Sequence, residues 1–210
     1  MVIVNSVFNA FLVLVINYGV LVCTEKQRNI RFQRKKIMYL EIMTAVAVIV
    51  IGGLSPITMV TEAMLRYCFL GTLSAIAVTD WEKHFISNKL LLAMLLLWSG
   101  IIGISIIANT ENGLGILFSS LLGALTGGLI FLLCYVLSRG QMGAGDVKLA
   151  FVMGLYLTGD KIIGAIFYGV ILCMIYSVIQ LIRKRIGLKD GVPLAPFLYI
   201  GTLITYIIMA

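Results

Sequence analysis

The sequence predicts an all-α membrane protein, a single integral-membrane domain over residues 1–210 built as a polytopic bundle of about eight transmembrane helices. Three observations carry that expectation. Of the 210 residues, 61% are hydrophobic and 12% charged, and the mean hydropathy is +1.08, a composition unsuited to a surface facing water all round. Apolar runs recur near the roughly 20 residues that a helix needs to cross the hydrocarbon core. The charged residues concentrate in short breaks between those runs.

Read between charged or glycine-rich breaks, the helices fall near Val2–Cys23, Ile37–Val60, Met64–Thr79, Lys89–Ala108, Leu114–Leu137, Val147–Leu157, Ile162–Ile182 and Pro196–Met209. The first carries Asn5, Asn9 and Asn17 on roughly one face, where amides hold helices together. No basic segment precedes it, so it reads as a retained helix and not a cleaved signal peptide. The second is broken near its outer end by Gly52-Gly53 and Ser55-Pro56. The third places the small residues Gly71, Ser74 and Ala75 on one side. It ends in Thr79-Asp80-Trp81-Glu82-Lys83-His84-Phe85-Ile86-Ser87-Asn88-Lys89, with Trp81 and Phe85 suited to a membrane interface.

Between the fourth and fifth spans, Asn109 to Gly113 is expected as a short outer turn. The fifth holds Gly123 and Gly127 as a G-x-x-x-G packing face. It delivers the chain to Ser138-Arg139-Gly140-Gln141-Met142-Gly143-Ala144-Gly145-Asp146-Val147-Lys148, a charged glycine-rich break between two apolar runs. Val147–Leu157 is too short to span unless it begins inside that break. Before the last helix, Pro193 and Pro196 keep the chain from turning helical early.

The formal charge is +7, but its placement argues against a nucleic-acid partner. Lys26, Arg28, Arg31, Arg34, Lys35 and Lys36 follow the first span, Lys83 and Lys89 the third, Arg139 and Lys148 flank the glycine break, and Arg183, Lys184, Arg185 and Lys189 follow the seventh. If the spans alternate, these loops share one side and leave Arg66 and Lys161 opposite. The positive-inside rule makes that side cytoplasmic and puts the N-terminus outside. The basic loop Thr24–Lys36 would also attract anionic headgroups of the lipid bilayer. Cys23, Cys68, Cys134 and Cys173 sit in or beside apolar runs with no C-x-x-C pair, and read as small buried hydrophobes without a metal or disulfide framework.

Two carboxylates, Asp80 and Asp146, arrive from different helices at the same face. A charged side chain at the bilayer centre costs about 2.5–3.5 kcal/mol on insertion scales, so acids at such helix ends are solvated, paired or used. Paired, one deprotonated acid activates water while the other, protonated, polarises a carbonyl, a chemistry that needs no metal and no cofactor. The alternatives are two independent helix caps or a proton relay in a small transporter. His84, the single histidine, reads as an interface residue, and Glu82 lies off the Asp80 face.

Gly143-Ala144-Gly145-Asp146 resembles the G-x-G-D signature of membrane aspartic proteases. Its extension Val147-Lys148-Leu149-Ala150 resembles the type IV prepilin peptidase form in particular. Asp80, ahead of Ile86-Ser87-Asn88, is similar to that family's first catalytic aspartate, although Ser87 stands where the family often has proline. Val192-Pro193-Leu194-Ala195-Pro196-Phe197-Leu198 resembles its proline-bracketed segment.

The resemblance implies a membrane-embedded aspartic endopeptidase of the prokaryotic inner or plasma membrane. Its partner would be a type IV pilin-like or pseudopilin precursor, whose short basic leader it removes at the cytoplasmic face. Asp80 and Asp146 would be catalytic, with Gly143, Gly145, Lys148, Pro193 and Pro196 supporting the loops or binding substrate. Thr24–Lys36 is short and lacks the paired cysteines of long-form relatives, which implies a compact form without the methylation segment. A signal-peptide-peptidase-like protease stays open as an alternative, although Thr79 precedes Asp80 where those proteins usually have tyrosine.

Overall fold

The computed structural model describes residues 42, 44–46, 60–139, 142–185, 187 and 191–209. The expected span Val2–Cys23, nearly all of Ile37–Val60, and with them Asn5, Asn9, Asn17, Thr24–Lys36 and the break from Gly52 to Pro56, lie outside these residues. So do Gly140, Gln141 and Lys189.

Five helices have described bounds: α1 (Val60–Lys83), α2 (Asn88–Ala108), α3 (Thr110–Leu137), α4 (Ala144–Ile182) and α5 (Ala195–Ile208). By length and composition α2, α3 and the Lys161–Ile182 part of α4 can each cross a membrane, and α5 is a shorter apolar helix. The expected spans Met64–Thr79 and Val147–Leu157 are helical but do not reach that standard.

Every residue from Phe69 to Asp80 is buried, which makes α1 the axis of the bundle. Phe69, Leu70, Leu73 and Ile76 are wholly covered, as is the polar Ser74. Such hydroxyls are tolerated because they bond back to their own helix. Ser74 donates to the Gly71 carbonyl at 2.8 Å and Thr79 to that of Ile76 at 2.8 Å. Tyr156 of α4 stacks on Phe69 with ring centroids 5.1 Å apart and donates its hydroxyl to the Met94 carbonyl of α2 at 2.6 Å. One tyrosine thereby ties three helices.

The outer turn expected over Asn109 to Gly113 contracts to a single residue. Asn109 ends α2 in extended conformation, and its side chain accepts from the Asn112 amide at 3.2 Å to start α3. An asparagine cap supplies the acceptor that the first turn lacks, so the helix begins four residues earlier than the apolar run.

The two expected segments Val147–Leu157 and Ile162–Ile182 are the two arms of α4, broken at Thr158, whose φ of 62° and ψ of 178° are not helical. The break is a reversal. Gly127 faces both the Ala150 carbonyl before it and the Ile162 side chain after it. Cys173 lies close enough to Asp146 to interact with its charge. Along a straight helix a separation of 27 positions would hold them roughly 40 Å apart. The returning arm therefore brings Arg183, Lys184 and Arg185 back to the end where α1 and α3 finish. At the other end Arg66 and Lys161 both lie over the Tyr206 ring, 5.1 and 5.8 Å from its centroid, so these two cations share one end as the charge pattern predicts.

Glycines set the helix spacing. A Cβ on Gly123 would fall on the Gly154 carbonyl and the Thr158 backbone, and one on Gly154 on the Gly123 carbonyl. Here α3 and the first arm of α4 touch backbone to backbone, with Gly127 against Ala150 one turn on, so the G-x-x-x-G face is a packing face. Gly201 of α5 meets Ala165 and Gly169 of the returning arm in the same manner.

Gly154→Ala is therefore expected to lower stability by about 1–3 kcal/mol, the usual cost of overpacking. Gly100→Ala, where an added methyl meets nothing within 4 Å, should be neutral or slightly stabilising. Thermal unfolding of the detergent-solubilised variants checks the contrast, and equal midpoints would refute the crossing.

Candidate functional site

Asp80 occupies the last turn of α1 and is only 5% exposed. Its carboxylate meets the first turn of α5, where the Ala195 amide donates to Oδ2 at 3.0 Å. The sequence dictates this contact. Pro193 and Pro196 have no N–H, so Leu194 and Ala195 carry the amides of the bracket. Leu194 begins α5 with no side-chain cap. The helix start thus has donors without an internal acceptor, and a carboxylate from another helix takes the role of the cap. Burial raises the Asp80 pKa above the usual carboxylate range, against the Ala195 amide, the His84 charge and the Leu194 amide, which all favour the charged form.

Asp146 lies in the first turn of α4, three residues after Gly143, which starts the helix in extended conformation. That is the register in which an acid reaches back to the amide of the capping residue, and the Gly143 amide does hydrogen-bond its carboxylate. Aspartate is a methylene shorter than the glutamate usual there, so the backbone must come close. A Cβ on Gly143 would sit 3.1 Å from Oδ2. Burial first, and the charge of Asp80 second, push Asp146 up to about 6. Both acids lie outside the three full-length apolar spans.

The two loops are tied to each other. Gly145 packs on Ile86, where an added Cβ would approach the Ile86 Cβ to 3.2 Å. Lys148 donates to Asn88 Oδ1 at 3.3 Å. Both partners belong to the segment after Asp80. His84 takes a left-handed φ of 49° and its amide donates to the Asp80 carbonyl at 2.8 Å, ending α1 and turning the chain toward Ile86. A residue expected only at an interface therefore shapes the acid loop and adds charge beside Asp80.

The structure thus gathers Asp80, Asp146, Gly143, Gly145, Lys148 and the Pro193 to Pro196 segment at one end of the bundle. Sequence reading missed the Leu194 and Ala195 amides, Ile86, Asn88 and Cys173, which interacts with both acids. It also missed a ring cluster beside Asp80: Trp81 lies 5.7 Å from Tyr176 and 6.2 Å from Phe197, and these two are 5.2 Å apart. The proline bracket was the one signal pointing to the amides; the rings required the reversal at Thr158. Among the described residues no three His, Cys, Asp or Glu side chains are gathered as a metal would need.

What the arrangement provides is two acids near enough for the charge of one to raise the pKa of the other. Their charges repel, and donors surround them unequally.

Comparison with known proteins bears on this geometry. A curated Prepilin leader peptidase/N-methyltransferase of Bacillus subtilis (strain 168) is 27% identical over 139 residues, 66% of this chain and 53% of the relative. The chain thus spans about half the length of that relative. No solved structure matches it. The type IV leader peptidase family matches residues 67–178, a stretch that holds Asp80, the glycine break and Asp146 and more than half of the sequence. The chain belongs to the type IV leader peptidase family.

Proposed function

We propose that this protein is a membrane-embedded aspartic endopeptidase that removes the short basic leader of a type IV pilin-like or pseudopilin precursor at the cytoplasmic membrane face. The observation that carries the reading is the coupling of two acids from separate helices, Asp80 buried and Asp146 partly so. Asp146 is held at about 6 by burial and by the charge of Asp80. Family membership supports the substrate class, and the basic residues at the acid end support the cytoplasmic side.

The donors support one division of roles. Asp80 receives the Ala195 and Leu194 amides and the nearby His84 charge, so it keeps the carboxylate. Asp146 has the Gly143 amide and faces the Asp80 charge, so it keeps the proton. Asp80 then accepts a proton from the attacking water, and Asp146 donates its hydrogen to the scissile carbonyl oxygen as the tetrahedral centre forms. As the C–N bond breaks, Asp80 passes its proton to the departing amine and Asp146 takes one back from a diol hydroxyl, which re-forms the carbonyl and restores the pair. Gly143 lets its amide approach Asp146, and Lys148 holds the two loops in register through Asn88.

Purified protein in vesicles is expected to cleave a membrane-embedded precursor, with loss of at least about 10³-fold in kcat for Asp80→Asn and for Asp146→Asn, since each removes one half of a unit. Cleavage that survives either substitution would remove that acid from the mechanism.

The dependence of kcat/KM on pH should be bell-shaped. Activity falls on the alkaline side as Asp146 loses its proton, with an apparent pKa of about 6, and on the acid side as Asp80 gains one. Replacing the Ala195 amide by an ester removes the donor to Asp80, raises the pKa of that acid and shifts the acid limb upward. An unmoved acid limb would count against the assignment.

Stability carries its own sign. The folded pKa of Asp146 lies above its unfolded value, so the folded state binds more protons between the two, and stability falls as pH rises through that window. Asp146→Asn should therefore be inactive yet more stable at pH 7, by on the order of 2 kcal/mol. Its advantage should fade below about pH 4. Thermal unfolding at both pH values measures it.

A further inference from the structure

The end of the bundle opposite the acids holds a cavity of about 390 Å³, inside the roughly 300–1,000 Å³ usual for small-molecule sites. The chemistry described above does not use it. Glu62 and Arg66 reach it from the first two turns of α1, Glu111 from the first turn of α3, and Lys161 from the start of the returning arm of α4. Leu65, Ile116 and Leu157 add an apolar wall. Both α2 and α3 are long and apolar enough to cross a membrane, and Asn109 alone joins them. A junction between two spans lies at the membrane surface, so Glu111 beside it stands at headgroup depth.

Two features favour an anion. Arg66 and Lys161 lie over the same Tyr206 ring, 5.1 and 5.8 Å from its centroid, so at most about 11 Å separates the two charges. Three helices also begin here, α1, α3 and the returning arm, and helix starts carry positive partial charge.

Glu62 and Glu111 have the opposite requirement, since carboxylates only accept hydrogen bonds. A primary ammonium brings three donors, whereas a trimethylammonium brings none. The ring face that a quaternary ammonium would seek is already occupied by Arg66 and Lys161.

Thr158 lines the same cavity with its positive φ of 62°. Strained backbone of this kind concentrates at ligand clamps and persists where the surroundings hold it. A ligand drawn to both Lys161, three residues further on, and Arg66 of α1 would brace the reversal.

We propose that this cavity binds a zwitterionic headgroup of the phosphoethanolamine class, with its phosphate between Arg66 and Lys161 and its primary ammonium toward Glu62 and Glu111. A membrane phospholipid and free phosphoethanolamine carry the same chemistry. Headgroup depth and the apolar wall favour the lipid.

The test follows thermal unfolding of the full chain in detergent as short-chain phosphatidylethanolamine, phosphatidylcholine, phosphatidylglycerol or free phosphoethanolamine is added. A ligand of the folded state raises the midpoint, by roughly 5–10 °C at about a hundredfold excess over Kd for a chain of this length. Phosphatidylethanolamine should bind at least about tenfold more tightly than the other two lipids, the size of one lost charged hydrogen bond. Lys161→Gln should lose about as much, and Lys161→Arg should keep the binding. Glu111→Gln should erase the preference for ammonium over trimethylammonium. Tight binding by the lipid alone identifies the membrane as the source, and equal binding by free phosphoethanolamine identifies a soluble ligand; either supports the site. Equal midpoints with every lipid, a preference for phosphatidylglycerol, or a wild-type response in both Lys161→Gln and Glu111→Gln overturns it.

Gly115 also lines the cavity, and a Cβ added there meets nothing within 4 Å. A photoreactive residue at that position, in vesicles containing phosphatidylethanolamine, should capture that lipid. Capture of residues 1–59 of the same chain instead would mean that protein fills the cavity, and the proposal would fail.

Discussion

The interaction on which the site depends is a carboxylate acting as the cap of a helix that is not its own. Asp80 is almost fully covered, and covering a charge in apolar surroundings is costly unless donors compensate it. The first turn of α5 has the opposite problem, with amides that no residue in its own helix can accept. Bringing them together, with the Ala195 amide 3.0 Å from Oδ2, answers both. It also requires α5 to run antiparallel to α1, and the approach of Arg66 to Tyr206 at the far end shows that it does.

Holding α5 there is the work of the reversal at Thr158. A β-branched residue with positive φ is strained, and the conformation persists because the surroundings leave no alternative. The first arm of α4 lies backbone to backbone on α3 through Gly123 and Gly154, and the returning arm lies equally close to α5 through Gly169 and Gly201. Dispersion contacts of this kind weaken quickly with distance, so the small residues determine how near the helices can come. The reversal then sets Tyr176 beside Trp81, the residue after Asp80, and Phe197.

Much of the site could be read from the sequence, because its chemistry is carried by short motifs. Gly143, Gly145 and Asp146 are near neighbours in the chain, and their roles follow from local helix-start geometry. Asp80 announced itself as an acid at the end of an apolar run. The six described helical segments were also legible from hydropathy, since length and charge placement mark them directly. What could not be read was contact between distant segments. Nothing at Ile86 or Asn88 signals Gly145 or Lys148, 59 and 60 positions later. The start of α3 was missed for a different reason: Asn109 caps a polar first turn that hydropathy assigns to a loop.

The asymmetry of the two acids has a structural origin that composition alone would not suggest. By position along their own helices, Asp146 at a helix start should be the easier acid to ionise and Asp80 at a helix end the harder. The donors from elsewhere oppose that order. Asp80 borrows the positive end of α5 and the charge of His84, while the local amide at Gly143 is the single donor set against burial and the charge of Asp80 at Asp146. The difference in surroundings between the two acids therefore comes from packing between α1 and α5 and not from either motif on its own. A bundle in which α5 had not docked would still contain both acids, but Asp80 would lose the Ala195 amide that offsets its burial.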